Sequence, residues 1–226
     1  GLDMIAVSYV RNAYDVKAIR REAERLGFDG FIIAKIETQG AISNLEEIVD
    51  ASDYIMIARG DLGLHFGLEI VPRLQEHIIE VSRKLGKPVM VATQLLESMK
   101  HDSTPTRAEV NDVYTAVREG VDSLLLTGET SIGRNPVEAV EWLSRIVIHA
   151  QKPVKTLIEN PCVEDLFVEG VVRLAENLGA KLVIYSRKCK TGLRFAKYRP
   201  FTPVYVGTSN LRNARLLNSL WNLYPI

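Results

Sequence analysis

A lysine and a glutamate lie two positions apart at the end of a short apolar segment, where residues 34–37 read Ala-Lys-Ile-Glu. If this segment is a strand, Lys35 and Glu37 project from the same face, because side chains alternate along a strand. A cation and a carboxylate would then share one end of a sheet. The pair could serve an anionic, metal-bound ligand or could be a structural salt bridge, and these two residues alone leave both readings open.

A second carboxylate follows the next apolar segment, where residues 58–63 read Ala-Arg-Gly-Asp-Leu-Gly. Asp61 lies where the chain must turn and expose backbone N–H groups, and such turns can hold an anion. Glu37 and Asp61 together would suit Mg²⁺ or Mn²⁺, since magnesium takes one or two protein carboxylates and completes its shell with water and substrate oxygens. Taken in isolation, Arg-Gly-Asp is more typical of a simple turn.

Two further segments end in hydroxyl-bearing residues. Thr93 follows the fourth apolar segment and Thr127 follows the fifth. Their hydroxyls could hold a substrate carboxylate or a proton-carrying water, or each threonine could simply cap a loop. The coincidence of polar groups after four successive segments favours one shared site for an oxygen-rich ligand.

Apolar and amphipathic segments alternate along the chain, as in a parallel α/β sheet. The predicted strands are residues 4–10, 31–36, 54–58, 88–92 and 123–126, and the predicted helices are residues 15–26, 45–51, 70–85, 109–119 and 136–149. Capping boxes are predicted at Ser43 with Glu46 and at Thr106 with Glu109. Functional groups gather at the carboxyl ends of parallel strands, so the polar residues above are expected to converge there.

Residues 151–161 contain two prolines and predict a linker. The alternation then resumes, with helices predicted at residues 163–178, 193–197 and 211–220 and strands at 181–185 and 204–207. We therefore expect two domains, residues 1–150 and residues 151–226.

Composition excludes several classes of partner. The chain has 226 residues, with 28 basic and 28 acidic side chains, so no global charge points to nucleic acid or to acidic membranes. No apolar run approaches the roughly 20 residues that span a bilayer. The two cysteines predict neither a disulfide framework nor a zinc site. A reducing cytoplasm is the expected location.

Several segments together resemble the signature segments of pyruvate kinases. They are residues 34–37 and 58–63, residues 92–99 (Ala-Thr-Gln-Leu-Leu-Glu-Ser-Met), 105–109 (Pro-Thr-Arg-Ala-Glu), 127–130 (Thr-Gly-Glu-Thr), 8–11 (Ser-Tyr-Val-Arg) and 196–200 (Ala-Lys-Tyr-Arg-Pro). The resemblance covers essentially the whole chain. It implies a partial (β/α)8 TIM barrel, namely the last five strand–helix units, followed by a truncated α/β C-terminal domain.

The family transfers a phosphoryl group from phosphoenolpyruvate to ADP, giving pyruvate and ATP. The resemblance implies that Glu37 and Asp61 hold the divalent metal and that Lys35 stabilises charge on the phosphoryl group and the enolate. The N–H groups of Gly60 and Asp61 would receive the substrate carboxylate. Thr93 would lie near the carbon that is protonated. Ser8 and Thr127 would be second-tier neighbours of the site.

The resemblance also implies partners outside the active site. K⁺ is possible in the intact protein, and a homotetramer is expected. A phosphorylated effector could bind the loop of residues 186–192, through Ser186, Lys188, Lys190 and Thr191, although a solvated basic loop is the alternative. After Gly63 the chain lacks the family's usual glutamate and carries His65, Phe66 and Gly67 instead, so the short helix there is expected to start differently.

We expect this chain to be part of a longer protein and to be inactive or very weak alone, because a barrel needs eight strands to close. Two other functions remain possible. One is a metal-dependent lyase or aldolase acting on pyruvate or phosphoenolpyruvate, since such barrels also stabilise an enolate with a carboxylate-bound metal. The other is a non-catalytic fragment that binds metal or effector.

Overall fold

A five-stranded parallel sheet forms the first part of the computed structural model, which describes residues 2–152 and 158–226. Its strands, in spatial and chain order, are β1 (Met4–Val7), β2 (Phe31–Ile36), β3 (Tyr54–Ala58), β4 (Val89–Ala92) and β5 (Ser123–Leu125). The register pairs Lys35 with Met56 and Ala58 with Ala92, so the carboxyl ends of neighbouring strands lie at the same end of the sheet. The α/β class and the parallel order are as predicted.

Helices separate all five strands. They are α1 (Ala13–Arg25), α2 (Gln39–Ser43), α3 (Leu45–Ala51), α4 (Arg59–Phe66), α5 (Val71–Lys84), a 3₁₀ helix (Glu97–Lys100), α6 (Arg107–Glu119), α7 (Gly128–Ser131) and α8 (Pro136–Ala150). The pattern of strand followed by helix is that of a barrel segment. The described strands form an open sheet with β1 and β5 at its edges, not a closed barrel.

The central strand β3 shows why the apolar segments are continuous. All five of its residues are buried. Ile55 and Ile57 belong to a core that contains helix residues from the same part of the chain, whereas Tyr54 and Met56 belong to a second core that reaches the C-terminal residues. Both faces of the sheet are therefore covered, as parallel sheets require.

The C-terminal part contains a three-stranded parallel sheet. Its strands β6 (Leu182–Tyr185), β7 (Val204–Gly207) and β8 (Leu223–Pro225) are flanked by α9 (Val163–Leu178), α10 (Lys190–Lys197) and α11 (Leu211–Leu217). Several contacts join it to the first sheet, and some of them involve buried side chains. Arg199 pairs with Asp122 at 2.8 Å, with both side chains buried, and the Tyr54 hydroxyl donates to the Ser219 carbonyl at 2.9 Å.

Some predicted boundaries were wrong. The first strand was expected to reach residue 10 but ends at Val7, and Tyr9 has a left-handed φ of 57°. Ser43 does not cap the following helix, because it is the last residue of α2 and Asn44 occupies the cap of α3. The last helix ends at Leu217, three residues early, so that the chain can enter the unpredicted strand β8.

One predicted helix-start signal was confirmed. Thr106 and Glu109 form the predicted capping box at the start of α6. Gly27 and Gly86 follow α1 and α5 with φ of 79° and 65°, the left-handed conformation that ends helices.

Both cysteines are free thiols. Residues 153–157, within the predicted linker, lie outside the described residues. Among the described helices, none has the length and apolar character needed to cross a membrane.

Candidate active site at the carboxyl ends of the strands

Lys35 lies at the centre of a polar cluster at the end of β2. Its ammonium group donates to the Ser8 hydroxyl at 2.9 Å and lies 2.9 Å from Oε2 of Glu37. The strand brings Lys35 and Glu37 together because they are two residues apart, and the parallel neighbour β1 delivers Ser8 to the same end. Lys35 is only partly exposed and Glu37 is buried, so the charges interact more strongly than they would in water.

The two carboxylate oxygens of Glu37 have different partners. Its Oε1 accepts the N–H of Tyr9 at 2.5 Å. Its Oε2 is buried and is paired with the Lys35 ammonium, 2.9 Å away. A carboxylate oxygen carries two lone pairs and can interact with more than one positive partner. The position of this oxygen therefore fits a ligand for a cation.

Asp61 occupies the first turn of α4, immediately beyond β3. Asp61 is partly exposed. Within the described part of the chain, its carboxylate has no hydrogen bond or ion pair to another side chain. No group of three or more His, Cys, Asp or Glu side chains forms a metal cluster among the described residues. Two carboxylates without a third fit Mg²⁺ or Mn²⁺, whose remaining positions are filled by water and substrate oxygens.

Thr93 is the first residue beyond β4 and has an unusual backbone. Its φ is 69°, and that of the following residue, Gln94, is 53°. A left-handed conformation is a clear outlier for a β-branched residue, and each such residue costs about 1–3 kcal/mol. The Thr93 hydroxyl oxygen accepts the N–H of Gly60 at 2.9 Å. The Gly60 N–H, expected to be available for a substrate carboxylate, is therefore already occupied.

Arg59 was not selected from the sequence, although it lies between two predicted site segments. Its side chain is buried. It donates to the Thr93 carbonyl from Nε at 3.2 Å and from Nη2 at 3.1 Å, and to the Gln94 carbonyl from Nη2 at 2.5 Å. These bonds satisfy the carbonyl groups of the strained turn. The sequence offered one signal that could have identified Arg59. It is an arginine directly after an apolar strand and two residues before an aspartate.

Thr127 leads to a second residue that sequence reasoning missed. Its N–H donates to Oε2 of Glu129 at 2.9 Å, while the N–H of Leu96 donates to Oε1 at 3.1 Å. Glu129 is fully buried. Burial would raise the pKa of its carboxyl group, but hydrogen bonds from backbone N–H groups outweigh burial and lower it. Glu129 thereby ties the turn after β5 to the loop after β4.

The predicted effector residues do not converge in the same way. Ser186 is buried, and its hydroxyl oxygen accepts the N–H of Gly192 at 3.3 Å. Lys188, Lys190 and Thr191 are exposed. The N–H of Lys190 donates to the carbonyl of Lys188 at 2.8 Å. Ser186 thus stabilises the turn into α10 instead of lying with the exposed cations.

A parallel α/β sheet with a lysine, two carboxylates and a threonine at its strand ends is typical of enzymes that bind anionic, metal-associated substrates. The family model for the pyruvate kinase barrel domain matches residues 1–140. The chain belongs to the pyruvate kinase family. The relatives found are pyruvate kinases, and they do not favour the lyase or aldolase alternative.

The similarity to individual relatives extends over the whole chain. The chain is 48% identical to a pyruvate kinase of Pyrobaculum aerophilum over 227 aligned positions and 40% identical to one of Aeropyrum pernix over 231. It also superimposes on the crystal structure of the Pyrobaculum aerophilum pyruvate kinase with a TM-score of 0.97, covering all of this chain and 54% of that one. The chain spans about half the length of the curated relatives it matches, 49% and 50% for these two.

Proposed function

We propose that this chain carries the metal- and enolate-binding half of a pyruvate kinase site, which transfers a phosphoryl group from phosphoenolpyruvate to ADP and gives pyruvate and ATP. The observation that carries the proposal is the cluster of Lys35, Glu37 and Ser8 at the carboxyl end of β2. Family membership supports it.

Glu37 and Asp61 would hold Mg²⁺ or Mn²⁺, through Oε2 of Glu37 beside the Lys35 ammonium and through the carboxylate of Asp61 in the first turn of α4. When bound, the metal supplies positive charge that polarises the substrate oxygens. Lys35 supplies a second positive charge on the same side of the sheet. Phosphoryl transfer depends mainly on such positioning and charge stabilisation, because its transition state spreads negative charge over several oxygens.

Thr93 and Asp61 would contribute to binding and to proton delivery. Since Gly60 donates its N–H to Thr93, the N–H of Asp61 remains the better candidate for the substrate carboxylate. The Thr93 hydroxyl oxygen is an acceptor from Gly60, so its own proton can be donated towards the enolate carbon, directly or through water. Ser8 and Thr127 would support Lys35 and the loop beyond β5.

The remaining expectations concern the protein as a whole. We propose a division into residues 1–150 and 151–226, a cytoplasmic location and a homotetramer. K⁺ would assist catalysis. A phosphorylated effector at Lys188, Lys190 and Thr191 stays a proposal with weaker support, because Ser186 is buried. The chain by itself would have little or no activity.

The test is a pyruvate-forming assay on the intact purified protein with phosphoenolpyruvate, ADP and Mg²⁺. We expect turnover, and Lys35→Met should lower kcat by about 10²–10³-fold, the usual effect of removing one stabilising group from a transition state. Lys17→Met, on the exposed face of α1, is the control and should leave kcat unchanged.

Three outcomes would contradict the proposal. They are products of carbon–carbon cleavage in place of ATP, metal and phosphoenolpyruvate binding without any turnover, and full activity in the Lys35→Met variant. The first would favour the lyase and the second the non-catalytic binding protein.

A further inference from the structure

Arg59 holds the strained turn beyond β4 through its side chain. Three of its hydrogen bonds reach the carbonyl oxygens of Thr93 and Gln94, at 3.2, 3.1 and 2.5 Å. These are the two residues with left-handed backbone, at φ of 69° and 53°. A conformation of this kind persists only when its surroundings enforce it. The Arg59 guanidinium group contacts both carbonyl groups and so helps to enforce this conformation.

The other end of the same guanidinium group is anchored to two helices. Nη1 lies 2.6 Å from Oδ2 of Asp112 on α6 and 3.5 Å from Oε1 of Gln75 on α5. A guanidinium group has five N–H donors, and Arg59 has five such contacts. Its side chain is 6% exposed. Arg59 therefore has no donor left for a substrate and acts on the site only through the residues it holds.

The backbone next to Arg59 contacts the functional end of Thr93. The N–H of Gly60 donates to Thr93 Oγ1 at 2.9 Å. Thr93 is thus held at its carbonyl by the side chain of residue 59 and at its hydroxyl by the N–H of residue 60. This arrangement fixes both the backbone and the direction of the hydroxyl group.

We propose that Arg59 is a positioning residue for the Thr93 hydroxyl in the proton-delivery half of the reaction. The inference rests on the proposed function. In that step the enolate C=C electron pair forms a C–H bond to the methyl carbon, the C–O bond becomes C=O, and the O–H bond of the donor breaks. The donor recovers its proton from solvent water. Arg59 supplies no proton and keeps the donor in place.

Lysine cannot substitute for Arg59 at this position. An ammonium group is a point charge with three donors, whereas the contacts here require a planar group that reaches two carbonyls and a carboxylate in different directions. Arg59→Lys keeps the charge and most of the volume. It therefore separates positioning from charge.

The first experiment measures hydrogen exchange of the Gly60 amide in the intact protein. Arg59→Lys should release the turn, and exchange of the Gly60 amide should accelerate by about tenfold or more because its bond to Thr93 opens locally. Arg20→Lys is the matched control. Arg20 also bonds a carbonyl and a carboxylate, those of Ala51 at 3.3 Å and Asp53 at 2.7 Å, but next to the start of β3. Unchanged Gly60 exchange in Arg59→Lys would overturn the proposal.

The second experiment measures deuterium incorporation into the pyruvate methyl group in D₂O, using the intact protein with Mg²⁺ and inorganic phosphate. Arg59→Lys should slow the exchange by about 10²-fold, since a 1 Å misplacement of a catalytic group costs that much. The KM for phosphoenolpyruvate should change far less. Asp112→Asn removes only the ion pair at Nη1 of Arg59 and should slow the exchange less. This second variant keeps the test valid if Arg59→Lys fails to fold.

A double-mutant cycle separates positioning from a general structural effect. If Arg59 acts through the Thr93 hydroxyl, Arg59→Lys should slow deuterium exchange only slightly further in a protein that already carries Thr93→Ala. An undiminished loss in that background would overturn the inference. If the unmodified protein neither forms pyruvate nor exchanges the pyruvate methyl protons, the proposed function is contradicted. The Gly60 amide experiment would then still test whether Arg59 stabilises the turn.

Discussion

At the scale of residues, the candidate site contains buried or partly buried charged side chains, each with a specific partner. Lys35 and Glu37 were identifiable because an alternation of two residues puts them on the same side of a strand, and their side chains lie 2.9 Å apart. Arg59 and Glu129 were missed because both are charged residues that become buried. Their burial depends on long-range partners, Thr93 for Arg59 and Leu96 for Glu129, and no local pattern reveals such partners.

Glu129 gives a prediction about pH at this scale. The pKa of its carboxyl group in the folded chain is lower than its ordinary value of 4.5. Its stabilising contribution is therefore complete above that value and is lost as the pH falls through the lower, folded pKa. Glu129→Gln should cost about 1–3 kcal/mol at pH 7, because an amide N–H₂ replaces an acceptor that faces backbone N–H groups.

The measurement is the free energy of unfolding of both proteins from pH 7 to pH 3. The gap between them should shrink below the ordinary pKa. Glu22→Gln, in an exposed pair with Arg25, serves as the control and should show a much smaller gap. A Glu129→Gln gap that stays constant with pH would contradict the role assigned to this carboxylate.

At the scale of elements, the sequence predicted the regular helices and strands well. β2, β3, β7, α3 and α9 have the predicted bounds. These segments are short apolar runs or have clear helical periodicity, so the local sequence is enough to predict their bounds. The same applies to the capping box of α6, in which Glu109 is reached from Thr106 three residues earlier.

The short helices after the strands were not predicted. α2, α7 and the 3₁₀ helix contain four or five residues each. A helix of that length has no stable form of its own, and tertiary contacts must hold it. The 3₁₀ helix illustrates this, because Ser98 donates from its N–H and its hydroxyl to Glu109 of α6 at 2.7 and 2.6 Å. These same elements follow strand ends that carry residues of the candidate site.

For the molecule as a whole, one buried ion pair joins the two sheets. Asp122, just before β5, accepts from Arg199 at 2.8 Å and from the N–H groups of Val89 at 2.8 Å and Trp221 at 3.3 Å. The side chains of Arg199 and Asp122 are only 3% and 2% exposed. No local pattern predicts this pairing, because 77 residues separate the partners.

Arg199→Met should destabilise the fold by about 3–5 kcal/mol, since it leaves the Asp122 carboxylate buried and uncompensated. Urea unfolding followed by tryptophan fluorescence measures this, with Trp221 beside the pair. Arg25→Met, in the exposed pair with Glu22, should have much less effect. Replacing both partners by apolar residues should recover part of the loss. A cost for Arg199→Met no larger than that for Arg25→Met would argue against the pair as the link between the sheets.

We propose above all that Glu37 and Asp61 bind the divalent metal that contacts the oxygens of phosphoenolpyruvate. A Mn²⁺ titration followed by electron paramagnetic resonance, with and without phosphoenolpyruvate, tests it most directly on the intact protein. We predict that Glu37→Gln and Asp61→Asn each weaken Mn²⁺ binding by about tenfold or more, as loss of an important interaction at a metal site does. Glu46→Gln, an exposed carboxylate on α3, should leave it unchanged. Equal Mn²⁺ affinity in all four proteins would contradict the account.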